Sequence, residues 1–542
     1  MATTQTHIRT QWDTLHRNGP FPIKQHLVTR LESNALMPSK FDRYNDAATE
    51  IRRLISDSQL QQHGFRPFGS RWSMSSIAHQ KDRVHQNNLM HLDLPILPAD
   101  LHAQTGYKAE NLFFFQCGNT VREISQVLEA HGKSLKASGA SNGQTIAGCI
   151  STGVHGSAWQ EGAVQDYIVG LNLIIGPKPE DVVYLERHNK PALSDAFAAK
   201  IQARVIRNDN LFHAALVGLG SFGFIHGVVI EAEDRFLLHR YVRKIDKTMA
   251  EQLAVTMDFI NSQFKITEEI DAQGNPLLPY HFKIFINPYT NDNQYVVEAM
   301  YKKTPYHTNY PDPLAGIEKS LYRDLIYLLI KISEKFPNSI PWFIKRLEKE
   351  ILPEVDPAEE KIIGTLYEIF WDAPYQGPAF ACSVGVDHKD SIKALNLLTK
   401  MTREEGPVPG IFAMRFVRQS TATLAFTRFP ITCVIEIDGI IWKGTNNLIS
   451  LESYGRRMVE VLKNNQIKFT SHWGKNLAWD FPGLIPYMYG DKAKQWKNYR
   501  NSLLSDEMAK LFSNDFLDIT GLSLKEANIP PNLIVSLPSD SP

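Results

Sequence analysis

The chain has 542 residues, of which 43% are hydrophobic, 10% aromatic and 21% charged. This length exceeds what one hydrophobic core usually serves, so we expect two domains, or one domain interrupted by another; the composition excludes a disordered or collagen-like chain. Because 58 Lys and Arg balance 58 Asp and Glu, no global charge attracts nucleic acid or an anionic membrane, and a small-molecule partner is favoured.

The N-terminal residues lack the apolar core of a signal peptide, and no apolar run approaches the roughly 18 residues of a membrane-spanning helix. We therefore predict a cytoplasmic protein with no stable membrane span. No metal site is predicted. The cysteines are far apart and form no C-x-x-C pair, which is typical of buried free thiols; they are Cys117, Cys149, Cys382 and Cys433.

Residues 40 to 235 alternate helical patterns with short β-branched runs, which is typical of an α+β region. The segment TVREISQVLEAHG has apolar residues at Val121, Ile124 and Leu128 and ends at Gly132, so it predicts a helix. DYIVGLNLIIG and FIHGVVIEAE predict strands.

From about 238 to 470 the pattern changes to long strands and amphipathic helices. HFKIFINPYTNDNQYVVEAMYKKT predicts two strands around an Asn-Asp turn. IEKSLYRDLIYLLIKISEKF carries Ile317, Leu321, Leu325 and Leu328 at helical spacing. This spacing favours a helix that faces the core, with a membrane-surface or lipid-sensing helix as the alternative.

Two glycine clusters are candidate phosphate-binding loops. GLGSFG, Gly218 to Gly223, has G-x-G-x-x-G spacing but precedes a strand pattern, where a Rossmann fingerprint needs a helix. It therefore predicts a tight turn, with an NAD-dependent dehydrogenase as the alternative. GASNGQTIAGCISTGVHGS, Gly139 to Ser157, alternates five glycines with hydroxyl and amide residues. Such a segment exposes backbone N–H groups to a diphosphate.

Several motifs resemble one known family. QTIAGCISTGVHGS followed by VQDYIVGLNLI resembles the FAD-binding segment of the vanillyl alcohol oxidase/p-cresol methylhydroxylase (PCMH-type) superfamily, nearest its alditol, aldonolactone and cholesterol oxidase branches. RPFGSRWSMSS resembles the first pyrophosphate loop, and DNLFHAALVGLGSFGFIHGVVIEAE resembles the end of the FAD domain. HWGK, His472 to Lys475, resembles a signature of the lactone and alditol oxidases. The motifs follow the family's order.

The resemblance implies an α+β fold, in which a PCMH-type FAD-binding domain of two α+β subdomains carries an inserted α+β cap. The implied boundaries are an FAD domain at 1–237, a cap at 238–468, and a C-terminal segment at 469–542 that completes the flavin site. The implied reaction oxidises the CH–OH group of a small-molecule alcohol by hydride transfer to flavin N5, and O2 or another acceptor takes the electrons.

The resemblance also implies which residues contact FAD, at the positions that match the family's motifs. They are Gly69, Ser70, Arg71, Trp72, Ser73, Gly139, Ala140, Thr145, Gly148, Ser151, Thr152, Gly153, Val154, His155, Ile225 and Lys475. Trp72 stands where many members carry a histidine bonded to the flavin, and Gly143 stands where bicovalent relatives carry a cysteine. The resemblance therefore implies non-covalent FAD. The resemblance also places Gly139, a small residue, close to the flavin ring, which favours an oxidase over a dehydrogenase.

The implied catalytic groups depart from the family at one position. GIFAMRFVR matches a Glu-x-Arg pair but keeps only Arg415, with Ala413 in place of the glutamate. CVIEIDG then places Glu436 and Asp438 on one strand face. We hypothesise that Glu436 supplies the lost carboxylate and acts as a base with a pKa raised toward neutrality by burial. The alternative is that both are solvated strand positions.

The resemblance places Lys475 and Arg415 near the flavin N1–C2=O edge and the substrate oxygen, with His472 in the same HWGK signature. The apolar insert LYRDLIYLLIKISEKFPNSIPWFIKRL favours a hydrophobic, sterol-like alcohol. HWGK favours a sugar alcohol or an aldono-1,4-lactone instead. A flavin-binding protein that has lost turnover is a third alternative, because Ala413 replaces the acid.

Overall fold

The structure, a computed structural model, describes residues 1–313, 336–351, 361–370, 377–442 and 448–523. The predicted helix that carries Ile317 to Leu328 lies outside these residues. The α-helices are Lys40–Leu60, Val121–Ala130, Ile146–Thr152, Asp195–Lys200, Asp209–Leu216, Lys247–Thr256, Ile340–Ile351, Leu366–Ile369, Ser391–Glu405, Leu451–Asn464, Leu484–Tyr489, Asp491–Leu503, Asp506–Leu511 and Asp515–Ile519. Within the described ranges, no helix is both long and apolar enough to cross a membrane.

A four-stranded sheet carries the first loop of the predicted cofactor site. In order across the sheet, its strands are Thr3–Ile8, Gln25–Arg30, Arg83–Gln86 and Phe65–Phe68. The long helix Lys40–Leu60 buries Ala47, Ile51 and Ile55 on one face. Because Phe65–Phe68 is an edge strand of four residues, residues 69–73 leave the sheet directly at its end.

A six-stranded sheet forms the second α+β layer. In order across the sheet, its strands are Arg204–Arg207, Val182–Glu186, Ile168–Ile174, Phe224–Glu231, Leu112–Gln116 and Asp93–Leu94. All residues of Ile168–Ile174 are buried, as a central strand requires. The GLGSFG turn precedes Phe224–Glu231 with positive φ at Gly220 (66°) and Gly223 (94°), so the predicted turn before a strand is confirmed.

Two helices next to this sheet begin and end at recognisable residues. Val121–Ala130 is confirmed as a helix: the Thr120 side chain accepts a hydrogen bond from the Glu123 backbone N–H, and the Glu123 side chain accepts one from the Thr120 N–H. Ile146–Thr152 forms a short helix inside the glycine stretch, which the sequence did not predict. It ends at Gly153, whose φ of 72° lies in the left-handed region.

An eight-stranded sheet forms the third layer. In order across the sheet, its strands are Ile362–Gly364, Leu237–Asp246, Gln294–Lys303, His281–Ile286, Gly410–Arg418, Ile431–Gly439, Phe380–Asp387 and Phe469–Ser471. His281–Ile286 and Gln294–Lys303 are antiparallel neighbours, so the predicted strand pair is confirmed. These strands span the predicted cap and the start of the predicted C-terminal segment; the domain boundaries themselves stay predictions.

The remaining described strands form two short pairs, Gln11–Trp12 with Phe21–Pro22 and Lys133–Ser134 with Glu233–Asp234. The helix Ser391–Glu405 packs on one side of the large sheet and against Leu451–Asn464. All four cysteines are buried and free, as predicted.

Candidate active site

A cavity of about 330 Å³ lies where the first loop, the glycine stretch, the large sheet and the HWGK segment meet. It is lined by all but one of the cofactor-binding and catalytic residues that the sequence predicted. These are Gly69, Ser70, Arg71, Trp72, Ser73, Gly139, Ala140, Thr145, Gly148, Ser151, Thr152, Val154, His155, Ile225, Arg415, Glu436, Asp438, His472 and Lys475. Gly153 does not line it and instead ends the helix Ile146–Thr152.

The two predicted cofactor loops contact each other closely. A Cβ atom added to Gly69 would lie 1.9 Å from the Thr145 hydroxyl oxygen, and one added to Gly139 would lie 2.8 Å from a Val154 methyl carbon. Only glycine fits at these two positions without a shift of Thr145, which lies on the other loop from Gly69, or of Val154, which lies on the same glycine stretch as Gly139. The glycines therefore keep the backbones of both loops close to the cavity.

Hydrogen bonds hold the HWGK segment against the first loop. The Met74 N–H donates to the Gly474 carbonyl at 2.7 Å, and the Ser75 hydroxyl donates to the Trp473 carbonyl at 2.7 Å. Trp473 is fully buried and its indole N–H donates to the Leu424 carbonyl at 2.8 Å. This anchoring fixes the direction in which Lys475 enters the cavity.

The carboxylate missing at Ala413 is present on the neighbouring strand. Ala413 and Glu436 lie directly opposite each other in the antiparallel pair, where side chains of opposed residues point to the same face. Because alanine is small, Glu436 reaches past it to Arg415, with 2.5 Å between its carboxylate and Nη2 of the guanidinium. The Ser383 hydroxyl donates a hydrogen bond to Glu436, at 3.1 Å.

The pKa of Glu436 contradicts the predicted base. Burial alone would raise this pKa, but the charges of Arg415 and Lys475 and the Ser383 hydrogen bond outweigh burial and lower it below its ordinary value. The prediction of a Glu436 pKa near neutrality is therefore wrong. Glu436 is a carboxylate that pairs with Arg415. The alternative of a solvated strand position is wrong for Glu436, which is only 1% exposed.

Asp438 has the environment that was predicted for Glu436. It lines the cavity, and its Oδ1 atom is buried with no hydrogen-bond partner among the described residues. Lys475 Nζ lies 3.8 Å from this atom. Burial and the neighbouring charge of Glu436 raise the pKa of Asp438, and Lys475 and Arg415 only partly oppose the change.

Two neutral histidines complete the polar wall. The rings of His155 and His472 lie 5.6 Å apart, and both contact Phe426. Burial lowers the pKa of His155 to about 4 and lowers that of His472 further. His155 Nδ1 donates to the Gly156 carbonyl at 2.9 Å, and His472 Nδ1 accepts from the Gly474 N–H at 3.0 Å. Both rings are therefore uncharged at neutral pH.

Sequence reasoning missed Arg66, which also lines the cavity. Its guanidinium is 1% exposed and donates to the backbone carbonyls of Ile77, Gly220 and Phe512 at 3.0 to 3.2 Å. Burial lowers its pKa to about 9, which still leaves it charged at neutral pH. The available signal was a basic residue inside the short strand FRPF, just before the first glycine loop.

No protein-family model matches the chain. Curated relatives include L-gulonolactone oxidase 3 of Arabidopsis thaliana, 32% identical over 121 residues (22% of this chain, 18% of the relative). L-galactono-1,4-lactone dehydrogenase, mitochondrial, of Brassica oleracea is 22% identical over 235 residues (43% and 34%). D-arabinono-1,4-lactone oxidase of Yarrowia lipolytica is 27% identical over 124 residues (23% and 20%). The chain thus spans only a fifth to a third of the length of these relatives.

Solved structures resemble almost the whole chain. A cholesterol oxidase from B. sterolicum matches with a TM-score of 0.64 at 12% identity, covering 96% of this chain and 97% of the other. A solvent-stable cholesterol oxidase matches with a TM-score of 0.64 at 11% identity, covering 95% and 97%. The chain therefore has the α+β fold of these cholesterol oxidases. The resemblance and the fold class predicted from the sequence are confirmed.

Proposed function

We propose that the chain is an FAD-dependent oxidoreductase that oxidises the CH–OH group of a small-molecule alcohol. One observation carries the proposal: Arg415, Glu436, Asp438 and Lys475 line the same cavity as the two glycine loops. Paired cations and carboxylates in a concave, partly apolar site are typical of a reaction centre. The sequence relatives, whose names describe lactone oxidation, support the same reaction class.

The cavity suits a flavin dinucleotide in three respects. Gly69 and Gly139 let two backbones approach a ligand where a side chain would clash. The loop residues Ser70 and Ser73 supply hydroxyl groups along the same wall. Arg66, which contacts backbone carbonyls and no carboxylate among the described residues, adds a buried positive charge that favours phosphate.

In the proposed reaction, the cofactor and the side chains that line the cavity have different roles. FAD, when bound, supplies a hydride acceptor at its N5 atom. Arg415, fixed by Glu436, and Lys475 place positive charge at the cavity wall, where they orient the substrate oxygen and stabilise developing negative charge. The apolar residues Met74 and Phe380 exclude water from this end of the site.

A hydrophobic, sterol-like alcohol is the first substrate candidate, because Trp72, Met74, Ile77 and Phe380 give the cavity large apolar surfaces. The fold shared with cholesterol oxidases is compatible with this candidate. An aldono-1,4-lactone or sugar alcohol is the second candidate, because the matching sequence relatives carry lactone names. A flavin-binding protein without turnover is the candidate of another class, and Ala413 favours it.

Anaerobic titration of the purified holoprotein distinguishes these candidates. We expect cholesterol, L-galactono-1,4-lactone or D-arabinono-1,4-lactone to bleach the visible flavin bands, and admission of air to restore them within seconds if the protein is an oxidase. A restoration that takes minutes identifies a dehydrogenase with another acceptor. If dithionite bleaches the flavin but none of the three compounds does, the proposed enzyme activity is refuted and a flavin-binding protein without turnover is supported.

We predict that FAD is released by acid precipitation. Trp72 lies at the position of the flavin-linking histidine, packs edge-on against His16 with ring centroids 5.3 Å apart, and has no nucleophilic atom for a linkage. Yellow flavin is therefore expected in the supernatant. Flavin fluorescence that stays with the denatured polypeptide on a gel would contradict non-covalent binding.

The Gly69→Ala variant is expected to bind FAD at least tenfold more weakly. The new Cβ would lie 1.9 Å from the Thr145 hydroxyl and 2.8 Å from Thr145 Cβ, so rotation of the threonine cannot relieve the clash. Overpacking of this kind costs about 1–3 kcal/mol, and about 1.4 kcal/mol is a factor of ten in Kd. Quenching of FAD fluorescence measures the Kd.

Gly106→Ala is the matched control for Gly69→Ala. A Cβ at Gly106 would meet nothing nearer than 4.0 Å, so its Kd should equal that of the wild type. If both variants bind FAD equally well, the contact between the two loops has no part in cofactor binding.

A further inference from the structure

We infer that Asp438 is the general base that accepts the substrate's hydroxyl proton, and that Glu436 is a positioning residue that holds Arg415. This inference rests on the proposed alcohol oxidation and assigns the proton step within it. It assigns to Asp438 the base role that the sequence analysis proposed for Glu436. The two carboxylates differ in their contacts and in their exposure to the cavity, and these differences distinguish their roles.

The carboxylate of Glu436 already contacts two side chains of the protein. Its carboxylate binds the Arg415 guanidinium and accepts from the Ser383 hydroxyl, and its side chain is 2% exposed. A carboxylate held by a guanidinium is a weak proton acceptor, because protonation would break the ion pair. What Glu436 contributes is a fixed direction for Arg415.

Asp438 is placed to meet a substrate. Its side chain is 45% exposed, and because it lines the cavity, its exposed part faces the cavity. Its Oδ1 atom has no hydrogen-bond partner among the described residues, and the nearest cation, Lys475, stands off at 3.8 Å. The Glu436 carboxylate contacts the Arg415 guanidinium and accepts from the Ser383 hydroxyl, whereas no side chain donates to Oδ1 of Asp438 among the described residues.

Charged and titratable side chains from three strands and the HWGK segment surround Asp438. Glu436 lies on the same strand, Arg415 on one neighbouring strand and Cys382 on the other, and Lys475 and His472 come from the HWGK segment. Burial keeps the Cys382 thiol and the His472 ring neutral, since it raises the pKa of the first and lowers that of the second. The charged neighbours that act on the pKa of Asp438 are therefore the Glu436 carboxylate and the cations Arg415 and Lys475.

Other bases in the cavity are less suited to the step. His155 and His472 have pKa values far below neutrality, so they accept a proton poorly at pH 7. The pKa of Asp438 is raised to about 6, closer to the value at which a general base works best.

The substrate O–H bond breaks and its proton goes to the Asp438 carboxylate. FAD, when bound, would supply the acceptor for the hydride, with its two electrons, that leaves the broken C–H bond. A carbonyl forms on the substrate carbon. O2 or another acceptor later removes the electrons, and Asp438 returns its proton to solvent. Because the base works deprotonated, the rate of flavin reduction rises with pH through the pKa of Asp438 and is constant above it.

The test compares Asp438→Asn, Asp438→Ala and Glu436→Gln holoproteins, with the exposed Asp292→Asn as control. Stopped-flow flavin reduction by the most active of the three probe alcohols is measured from pH 5 to pH 9. We expect both Asp438 variants to reduce their flavin on the order of a hundredfold more slowly at pH 7. The rise of the rate with pH at the acid side of the profile, its acid limb, should also disappear in both variants. Formate should restore part of the rate in Asp438→Ala only.

The Glu436→Gln variant distinguishes most clearly whether Asp438 or Glu436 is the base. Removal of its negative charge lowers the pKa of Asp438, so the acid limb should move to lower pH but persist. If Glu436 were the base, its glutamine variant would lose the limb altogether and the Asp438 variants would keep it. Either of those two results overturns the assignment.

Infrared difference spectroscopy supplies a readout that needs no turnover. The wild-type holoprotein should show a protonated carboxyl band that titrates between pH 5 and 7 and is absent from Asp438→Asn. A band that is unchanged in this variant overturns the inference. If no probe alcohol reduces the wild-type flavin although the band behaves as expected, the proposed function fails and the base assignment fails with it.

Discussion

The Glu436→Ala variant is expected to unfold with a free energy about 3–5 kcal/mol lower than that of the wild type. Glu436 and Arg415 form an ion pair in which the two side chains are 2% and 14% exposed. Removal of the carboxylate leaves a nearly buried guanidinium without its partner, and the cost is the uncompensated charge. Urea unfolding of the holoprotein, followed by tryptophan fluorescence, measures the difference.

Two further variants make this prediction specific. Glu404→Ala removes an exposed carboxylate, 62% exposed and 3.8 Å from Lys400, and should cost less than about 1 kcal/mol. Ala413→Glu in the Glu436→Ala background returns a carboxylate to the directly opposed position and should recover part of the lost stability. If Glu436→Ala is no less stable than Glu404→Ala, the ion pair does not stabilise the site.

The Lys475→Ala variant is expected to slow flavin reduction on the order of a hundredfold. A preorganised donor at a site of developing negative charge is typically worth about 3 kcal/mol, and about 1.4 kcal/mol is a factor of ten in rate. Lys475 lines the cavity on a segment anchored by the hydrogen bond between Met74 and Gly474. Anaerobic stopped-flow with the active probe alcohol measures the effect.

Lys510→Ala serves as the control for Lys475→Ala, because Lys510 is an exposed lysine on the helix Asp506–Leu511. It should reduce its flavin at the wild-type rate. An unchanged rate in Lys475→Ala, with the FAD spectrum intact, would remove this lysine from the proposed mechanism.

Local sequence signals predicted the loops well. Glycine at positions 69 and 139 reflects close backbone approach, and a strand has a fixed alternation that places Glu436 and Asp438 on one face. Each of these features depends on neighbours in the chain. For that reason nearly all the predicted cofactor residues line one cavity, with Gly153 as the exception because its positive φ serves to end a helix.

The assignment of the two carboxylates was beyond local sequence. It depends on the register between Gly410–Arg418 and Ile431–Gly439, which sets Glu436 opposite Ala413 and within reach of Arg415. A shift of one residue would turn these side chains to the other face of the sheet. Burial by itself raises the pKa of both acids, so the contact with the guanidinium decides which of them has a lowered pKa.

Arg66 was missed for a related reason. A single arginine in a short strand is ordinary, and its significance comes from burial against the carbonyls of Gly220 and Phe512, which lie far away in the sequence. Only the folded chain brings these groups together beneath the first loop.

The visible absorption spectrum of the purified protein tests the central claim most directly. If the backbones around Gly69 and Gly139 hold a flavin nucleotide, the protein is yellow as isolated or becomes so when FAD is added and the excess is removed by gel filtration. A folded protein that stays colourless after this treatment would contradict the flavin site and every role proposed for the residues around it.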